Sequence, residues 1–122
     1  RDFTYIDDVA EGIIRCCFKK ASIDEDFNPR IPNPSTSSAP YRVFNIGNSN
    51  PIRLTYFIEL LEKNLGKKAI RNFEPMQPGD VISTAASMDL LNSWVDYKPT
   101  TSIEIGIELF SKWYLDYFKN TY

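Results

Sequence analysis

The sequence contains no histidine, and this absence excludes several kinds of site. Its 122 residues include 14 Lys and Arg, 16 Asp and Glu, two Cys and no His. Without His, neither a Ser-His-Asp triad nor a Cys-His pair can form. A zinc site with His ligands is excluded as well, and two cysteines are too few for an all-thiolate site. We therefore predict no catalytic residues of these kinds and no metal site in this chain.

A strong charge of either sign is also missing, as is any long apolar run. The formal net charge is −2, so no basic excess favours binding to a nucleic-acid backbone. No apolar run approaches the ~20 residues that a membrane-spanning helix needs. We therefore expect neither a nucleic acid nor a membrane as a partner.

The two cysteines, Cys16 and Cys17, are adjacent within a helical pattern. Neighbouring side chains on a helix point about 100° apart, which disfavours a disulfide between them. Reduced thiols are typical of the cytosol. The sequence therefore predicts a cytoplasmic protein.

The chain does have the composition of one globular domain. It is 43% hydrophobic, and 122 residues suffice for one core but not for two. We assign residues 1–122 to a single domain. The chain does not begin with Met and opens in a segment typical of a strand. We therefore expect a piece of a longer protein whose N-terminal part is missing.

The residue pattern predicts short strands separated by helices. β-Branched and aromatic residues indicate three strands, at 3–6, 41–46 and 69–73. Apolar residues at helical spacing indicate four helices, at 7–20, 54–65, 88–95 and from 101 to the chain end. A proline-rich stretch at 21–40 predicts a long mobile loop. This mixture predicts a small α/β or α+β domain, which is so thin that we expect it to pack against a larger unit.

Local signals predict how the helices begin and end. We expect Asp7 and Asp8 to supply an N-cap and first-turn negative charge for the first helix, and Gly66 to end the second. Ser87 is expected to begin the third helix. Thr101 and Glu104 match a capping box at the start of the fourth.

Two segments could contact an anion or a diol. Arg1 lies at the edge of the first predicted strand, where its guanidinium could present a rigid fork to a phosphate. The alternative is an ion pair with Asp2 or another carboxylate. Asp80 follows a Pro78-Gly79 turn and could accept two hydrogen bonds from a ribose diol. The alternative is that Asp80 caps its own turn.

Three motifs in fixed order carry a resemblance to a known family. They are Arg-Asp-Phe-Thr-Tyr-Ile-Asp-Asp at 1–8, Tyr-Arg-Val-Phe-Asn-Ile-Gly-Asn at 41–48, and Pro-Met-Gln-Pro-Gly-Asp-Val at 75–81. With the helices between them, they resemble the C-terminal part of the extended short-chain dehydrogenase/reductase family of nucleotide-sugar epimerases and dehydratases. The match is closest to bacterial UDP-glucuronate 4-epimerases and covers essentially all of 1–122.

The resemblance implies a small substrate-binding lobe packed on a Rossmann domain, in an enzyme that forms a homodimer. In the family, the Rossmann domain binds NAD and supplies a Tyr-x-x-x-Lys pair. None of the seven tyrosines here has Lys four positions later. The cofactor-binding and catalytic residues are therefore expected on the missing part, and this piece is expected to be inactive alone. The implied reaction interconverts UDP-glucuronate and UDP-galacturonate through a 4-keto intermediate formed by hydride transfer to NAD.

The resemblance also assigns roles to single residues. Arg1 stands at the position of the arginine that contacts the sugar-nucleotide diphosphate, and Asp80 at that of the acidic residue that holds the ribose hydroxyls. Gln77 stands where many relatives have a second phosphate-binding arginine. Asn45 lies in the Asn-Ile-Gly turn near the substrate cleft, although this turn could equally be a loop closure. Residues 82–87 depart from the usual Pro-Ala-Thr-Tyr-Ala-Asp, so the substrate contacts can differ there.

Two other functions remain open at this point. A dehydratase, decarboxylase or reductase of the same family would have the same C-terminal lobe. A stand-alone interaction module without catalysis is the alternative from another class. The sequence upstream of Arg1 would discriminate among them, because the catalytic residues lie there in the family.

Overall fold

The computed structural model describes residues 1–119, and the regular elements in that range are four helices. They are α1 (Ile6–Cys17), α2 (Leu54–Leu65), α3 (Asp89–Val95) and α4 (Ile103–Lys119). Helix α2 packs against α4, and α1 packs against α3. The prediction of a small domain with about four helices is confirmed.

Strands are absent from the three segments for which the residue pattern predicts them: 3–6, 41–46 and 69–73. Within residues 1–119, the only β-pairing is one antiparallel bridge between Asp2 and Pro51. A strand exists only where a neighbouring strand accepts its hydrogen bonds. The amide of Val43, for example, donates to the carbonyl of Ser35 in the preceding loop, at 3.1 Å. The predicted strands are therefore wrong, because the residue types suit a strand but no partner lies beside them.

The helix boundaries correct one predicted cap and one predicted helix end, both in α1. Helix α1 begins at Ile6, so Asp7 and Asp8 lie in its first turn and do not cap it. It ends at Cys17, three residues before the predicted end. Gly66 does end α2, with a positive φ of 64°. Negative charge in a first turn still suits the helix dipole.

The starts of α3 and α4 differ in detail from the prediction. Helix α4 is capped by Ser102, whose hydroxyl accepts the amide of Ile105 at 3.4 Å. Thr101 is not the cap that the capping-box match predicts, because α4 begins at Ile103 and Ser102 directly precedes it; the amide of Thr101 donates instead to the Asp8 carboxylate at 3.0 Å. Helix α3 begins at Asp89, whose amide donates to the hydroxyl of Ser87 at 3.3 Å.

The core of the described residues is small. Its buried large side chains are Leu60, Met88, Leu91 and Ile107. They come from α2, α3, α4 and the residue that precedes α3. Far more large apolar side chains of residues 1–119 are exposed than buried. This matches the expectation of a thin domain.

Helix α1 turns small and polar residues inward and apolar residues outward. Asp8 and Gly12 are its buried residues, whereas Ile13, Ile14 and Phe18 are exposed, Phe18 to 88%. The hydroxyl of Tyr97 donates to the Asp8 carbonyl at 2.9 Å, and burial beside Asp8 raises the pKa of Tyr97 to about 12. The predicted apolar stripe therefore faces away from the rest of the described domain.

Two further observations bear on the surroundings of the chain. Cys16 and Cys17 are free thiols, as the sequence predicts. No helix within residues 1–119 is both long and apolar enough to cross a membrane. A cytoplasmic location stays a prediction.

Candidate functional site

The Asp2 carboxylate holds three separate segments together. It accepts the amides of Asn48 and Ser49 from the turn before α2, each at 3.1 Å. It also accepts the amide of Ala86 at 3.1 Å. Without the Asp2 carboxylate, these three backbone amides would lose their hydrogen-bond partner. Asp2 is therefore engaged by backbone groups and is not the ion-pair partner of Arg1.

Gly47 is required where these segments meet. A Cβ at this position would lie 2.6 Å from the Cβ of Ala86 and 2.7 Å from the Asp2 carboxylate. Only a residue without a side chain allows such a close approach. The amide of Gly47 points to the buried sulfur of Met88, at 3.1 Å. The glycine in the Asn-Ile-Gly turn is thus explained by close packing.

The backbone of Arg1 is fixed by the segment that leads into α2. Its main-chain nitrogen donates to the carbonyl of Ile52, and the Ile52 amide donates back to the Arg1 carbonyl, both at 2.8 Å. This pairing sets the direction of the Arg1 side chain. The guanidinium then reaches the residue 79 positions away, Asp80, with which it forms an ion pair.

Arg1 and Asp80 are also tied to the backbone at Val81. The guanidinium donates to the carbonyl of Val81, and the Asp80 carboxylate accepts the Val81 amide at 2.8 Å. The Val81 amide is the main reason that the pKa of Asp80 lies below its ordinary value, and Arg1 lowers it further. Both alternatives from the sequence are therefore realised: Arg1 pairs with a carboxylate, and Asp80 caps its own turn.

The turn that presents Asp80 has the predicted form. The amide of Asp80 donates to the carbonyl of Gln77 at 3.1 Å, which closes a four-residue turn. Gly79 has a positive φ of 86°, the conformation that such a turn demands after proline. Pro78 and Gly79 thus hold Asp80 rigidly at the surface.

Arg1 and Asp80 line one cleft of about 420 Å³. Its other walls are Pro51, Ile52, Arg53, Leu54, Met76, Val81, Ile82 and Ser83. These described residues include two guanidiniums, one carboxylate and an apolar floor, but no His, Tyr, Lys or Cys. Such a set can bind and orient an anion or a polyol, and its one carboxylate, Asp80, is a weak base because its hydrogen-bond donors lower its pKa.

Arg53 is the cleft residue that sequence reasoning missed. It is the residue immediately before α2 and is exposed. The signal that could have found it is its place two residues after Pro51 and immediately before the apolar helical pattern.

The other two predicted site residues do not line this cleft. Gln77 is exposed in the same turn as Asp80, and its carbonyl closes that turn. Asn45 is exposed in the segment before Gly47. Neither side chain makes a hydrogen bond within residues 1–119. The structure therefore brings together Arg1 and Asp80, keeps Gln77 adjacent, and leaves Asn45 apart.

A second cleft, of about 500 Å³, lies between α2 and residues 67–73. Its polar centre is Glu62, a buried carboxylate of α2. Glu62 accepts from Lys68 at 2.8 Å, from the amide of Ala69 at 3.1 Å and from Arg71 at 3.1 Å. These donors, Lys68 first, lower the pKa of Glu62 to about 2. The carboxylate is fully used in fixing this segment to the helix.

Comparisons with known proteins find relatives that include proteins named as UDP-glucuronate 4-epimerases. No family model matches the chain. Protein CapI of Staphylococcus aureus is 47% identical over 119 residues, which are 98% of this chain and 36% of that protein. UDP-glucuronate 4-epimerase 1 of Arabidopsis thaliana is 39% identical over 120 residues, which are 97% of this chain and 27% of that protein.

A solved structure shows the same relationship. It is a UDP-glucuronic acid 4-epimerase variant from Bacillus cereus, in complex with UDP-4-deoxy-4-fluoro-glucuronic acid and NAD. It superimposes with a TM-score of 0.69 at 30% identity and covers all of this chain but 32% of its own. The resemblance to nucleotide-sugar epimerases is confirmed. The chain spans about a third of the length of these relatives, consistent with a C-terminal piece of an extended short-chain dehydrogenase/reductase epimerase.

Proposed function

We propose that this chain is the substrate-binding part of a nucleotide-sugar 4-epimerase that interconverts UDP-glucuronate and UDP-galacturonate. The sequence identity to UDP-glucuronate 4-epimerases supports the reaction class. The observation that carries the proposal is the joint placement of Arg1 and Asp80 on one cleft, 79 positions apart in the chain.

The two residues take complementary roles in this proposal. Arg1 uses one guanidinium nitrogen on Asp80 and another on Val81, and a guanidinium has further N–H donors for a diphosphate. Asp80 has a second carboxylate oxygen, Oδ2, for a ribose hydroxyl. The apolar wall between Ile52 and Met76 suits the non-polar face of a base or a sugar. Together they anchor the nucleotide, so that the sugar can turn without leaving the enzyme.

The residues of this chain do not fit NAD. A dinucleotide site of this family needs a Gly-x-Gly-x-x-Gly turn between a strand and a helix. The five glycines, at 12, 47, 66, 79 and 106, lie far apart in sequence. We therefore place the cofactor, and the acid–base residues that act at C4, on the part of the relatives that this chain does not span. The Rossmann domain as a packing partner and the homodimer belong to the same proposal.

The decisive test is an assay of the protein expressed from its full-length gene. Incubated with UDP-glucuronate and NAD, it should yield UDP-galacturonate, identified by NMR. Release of CO₂ or loss of water from the sugar would instead indicate a decarboxylase or a dehydratase. The 122-residue piece alone should show no turnover, and turnover by that piece would contradict our placement of the catalytic residues.

A further inference from the structure

We propose that Arg53 is a second diphosphate-binding residue and that it supplies the uncompensated positive charge of the nucleotide site. This inference rests on the proposed function, because it concerns the same cleft. It names a second positively charged residue among those that line this cleft.

The charge balance of the cleft leads to Arg53. The guanidinium of Arg1 is paired with the Asp80 carboxylate, so the two contribute no net charge. Arg53 is the only other charged residue among the described residues that line the cleft. Its side chain makes no ion pair within residues 1–119. A diphosphate carries more than one negative charge. If Arg1 were the only arginine to contact it, the site would bind it poorly, because Asp80 already neutralises the Arg1 guanidinium.

The backbone fixes Arg53 next to Arg1. The pairing of Arg1 with Ile52 brings the two arginines to neighbouring positions on one wall, with Ile52 between Arg53 and the Asp2–Pro51 bridge. Arg53 precedes the first turn of α2, which has no acidic residue. No carboxylate of that turn can therefore draw its guanidinium away from the cleft. Gln77, which has no charge, is exposed in the turn that presents Asp80 and does not line the cleft.

The test compares ligands with and without phosphate on the full-length protein. Calorimetry should show that Arg53→Gln weakens UDP binding about tenfold, the loss of roughly one charge-assisted hydrogen bond. Binding of uridine should change little. Arg53→Lys, which keeps the charge, should recover part of the affinity. The affinity for UDP should also fall less steeply with salt in Arg53→Gln than in the wild type.

Matched controls separate this inference from the function on which it rests. Arg30→Gln removes an arginine from an exposed loop outside the cleft and should leave UDP binding unchanged. If the wild type binds no UDP, the proposed function itself fails. If the wild type binds UDP and Arg53→Gln binds it equally well, only the role of Arg53 is overturned. A loss for UDP-glucuronate without a loss for UDP would place Arg53 at the sugar carboxylate and overturn the diphosphate assignment.

Discussion

Arg1 and Asp80, which line the same cleft, form an ion pair, and both are hydrogen-bonded to the backbone of Val81. The side chains are about one third and one half exposed, so a ligand can reach both. The pair holds each group in a fixed orientation before a nucleotide arrives. Preorganisation of this kind reduces the entropy lost on binding.

We predict that Arg1→Ala in the full-length enzyme raises KM for the UDP-sugar more than it lowers kcat. Arg1 is assigned to the diphosphate, remote from C4, and a lost charge-assisted contact costs on the order of 1.5–3 kcal/mol. Arg1→Lys keeps the charge but loses the fork and should be intermediate. Steady-state kinetics provide the measurement. An unchanged KM in Arg1→Ala would show that the arginine is only an ion-pair partner of Asp80.

The pKa of Asp80 is an independent measure of the interaction between Arg1 and Asp80. In Arg1→Ala we expect this pKa to rise only part of the way to its ordinary value, because the Val81 amide is the larger cause of the depression. NMR titration of the Asp80 carboxyl carbon measures it. A complete return to the ordinary value would mean that the Val81 hydrogen bond contributes nothing.

The proposed role of Asp80 is best tested by removing hydroxyl groups from the ligand. If it holds the ribose diol, the wild type should prefer UDP over 2′,3′-dideoxy-UDP, and Asp80→Ala should lose most of that preference. Asp80→Asn keeps an acceptor for the Val81 amide and thereby preserves the turn. If the preference survives in both variants while thermal stability falls in Asp80→Ala, Asp80 only caps its turn.

The sequence predicted the parts of this site that depend on local chemistry. The Pro78-Gly79 turn and the Gly66 helix end follow from φ preferences of single residues, and the structure confirms them. The strands failed, since pairing depends on a distant partner that the pattern at 41–46 does not specify. The role of Asp2 was missed for the same reason, because its amide donors come from two segments far along the chain.

We predict that Glu62 makes the free energy of unfolding decrease as the solution becomes acidic. Its pKa is lowered from 4.5 to about 2 in the folded chain. A lowered folded pKa stabilises the fold above the unfolded pKa, and this stabilisation is lost as the pH falls from about 4.5 towards 2. In denaturant unfolding, the free energy of unfolding of Glu62→Gln should change less across that pH interval than the free energy of the wild type. Glu59→Gln, an exposed neighbour on α2, should retain the wild-type slope.

We predict that Gly47→Ala destabilises the chain by roughly 1–3 kcal/mol, because the new methyl would overlap Ala86 and the Asp2 carboxylate. Gly106→Ala is the matched control. Its Cβ would lie 3.5 Å from Tyr5, an ordinary contact, and alanine favours a helix over glycine. It should be neutral or stabilising. Equal effects of the two changes in thermal unfolding would contradict the close packing at Gly47.

Helix α1 and the residue that follows it expose an apolar face. Ile6, Ile13, Ile14 and Phe18 expose more than half of their surfaces in the chain as described here. Burying one such side chain typically stabilises a contact by about 1.5–3 kcal/mol. We therefore expect the isolated chain to self-associate at high concentration, because in the full-length enzyme this face would be covered by the proposed Rossmann domain.

Charged substitutions on that face distinguish association through α1 from non-specific aggregation. Ile13→Lys with Ile14→Lys keeps good helix formers at exposed positions and should shift the isolated chain towards the monomer in analytical ultracentrifugation. Ile70→Lys is the control, since Ile70 is fully exposed in a different segment. The paired change on α1 should also destabilise the full-length enzyme, whereas the Ile70 change should not. A wild-type chain that stays monomeric at high concentration, with a full-length enzyme indifferent to both changes, would mean that no second lobe packs on α1. The apolar stripe of this helix would then have no packing role in either form of the protein.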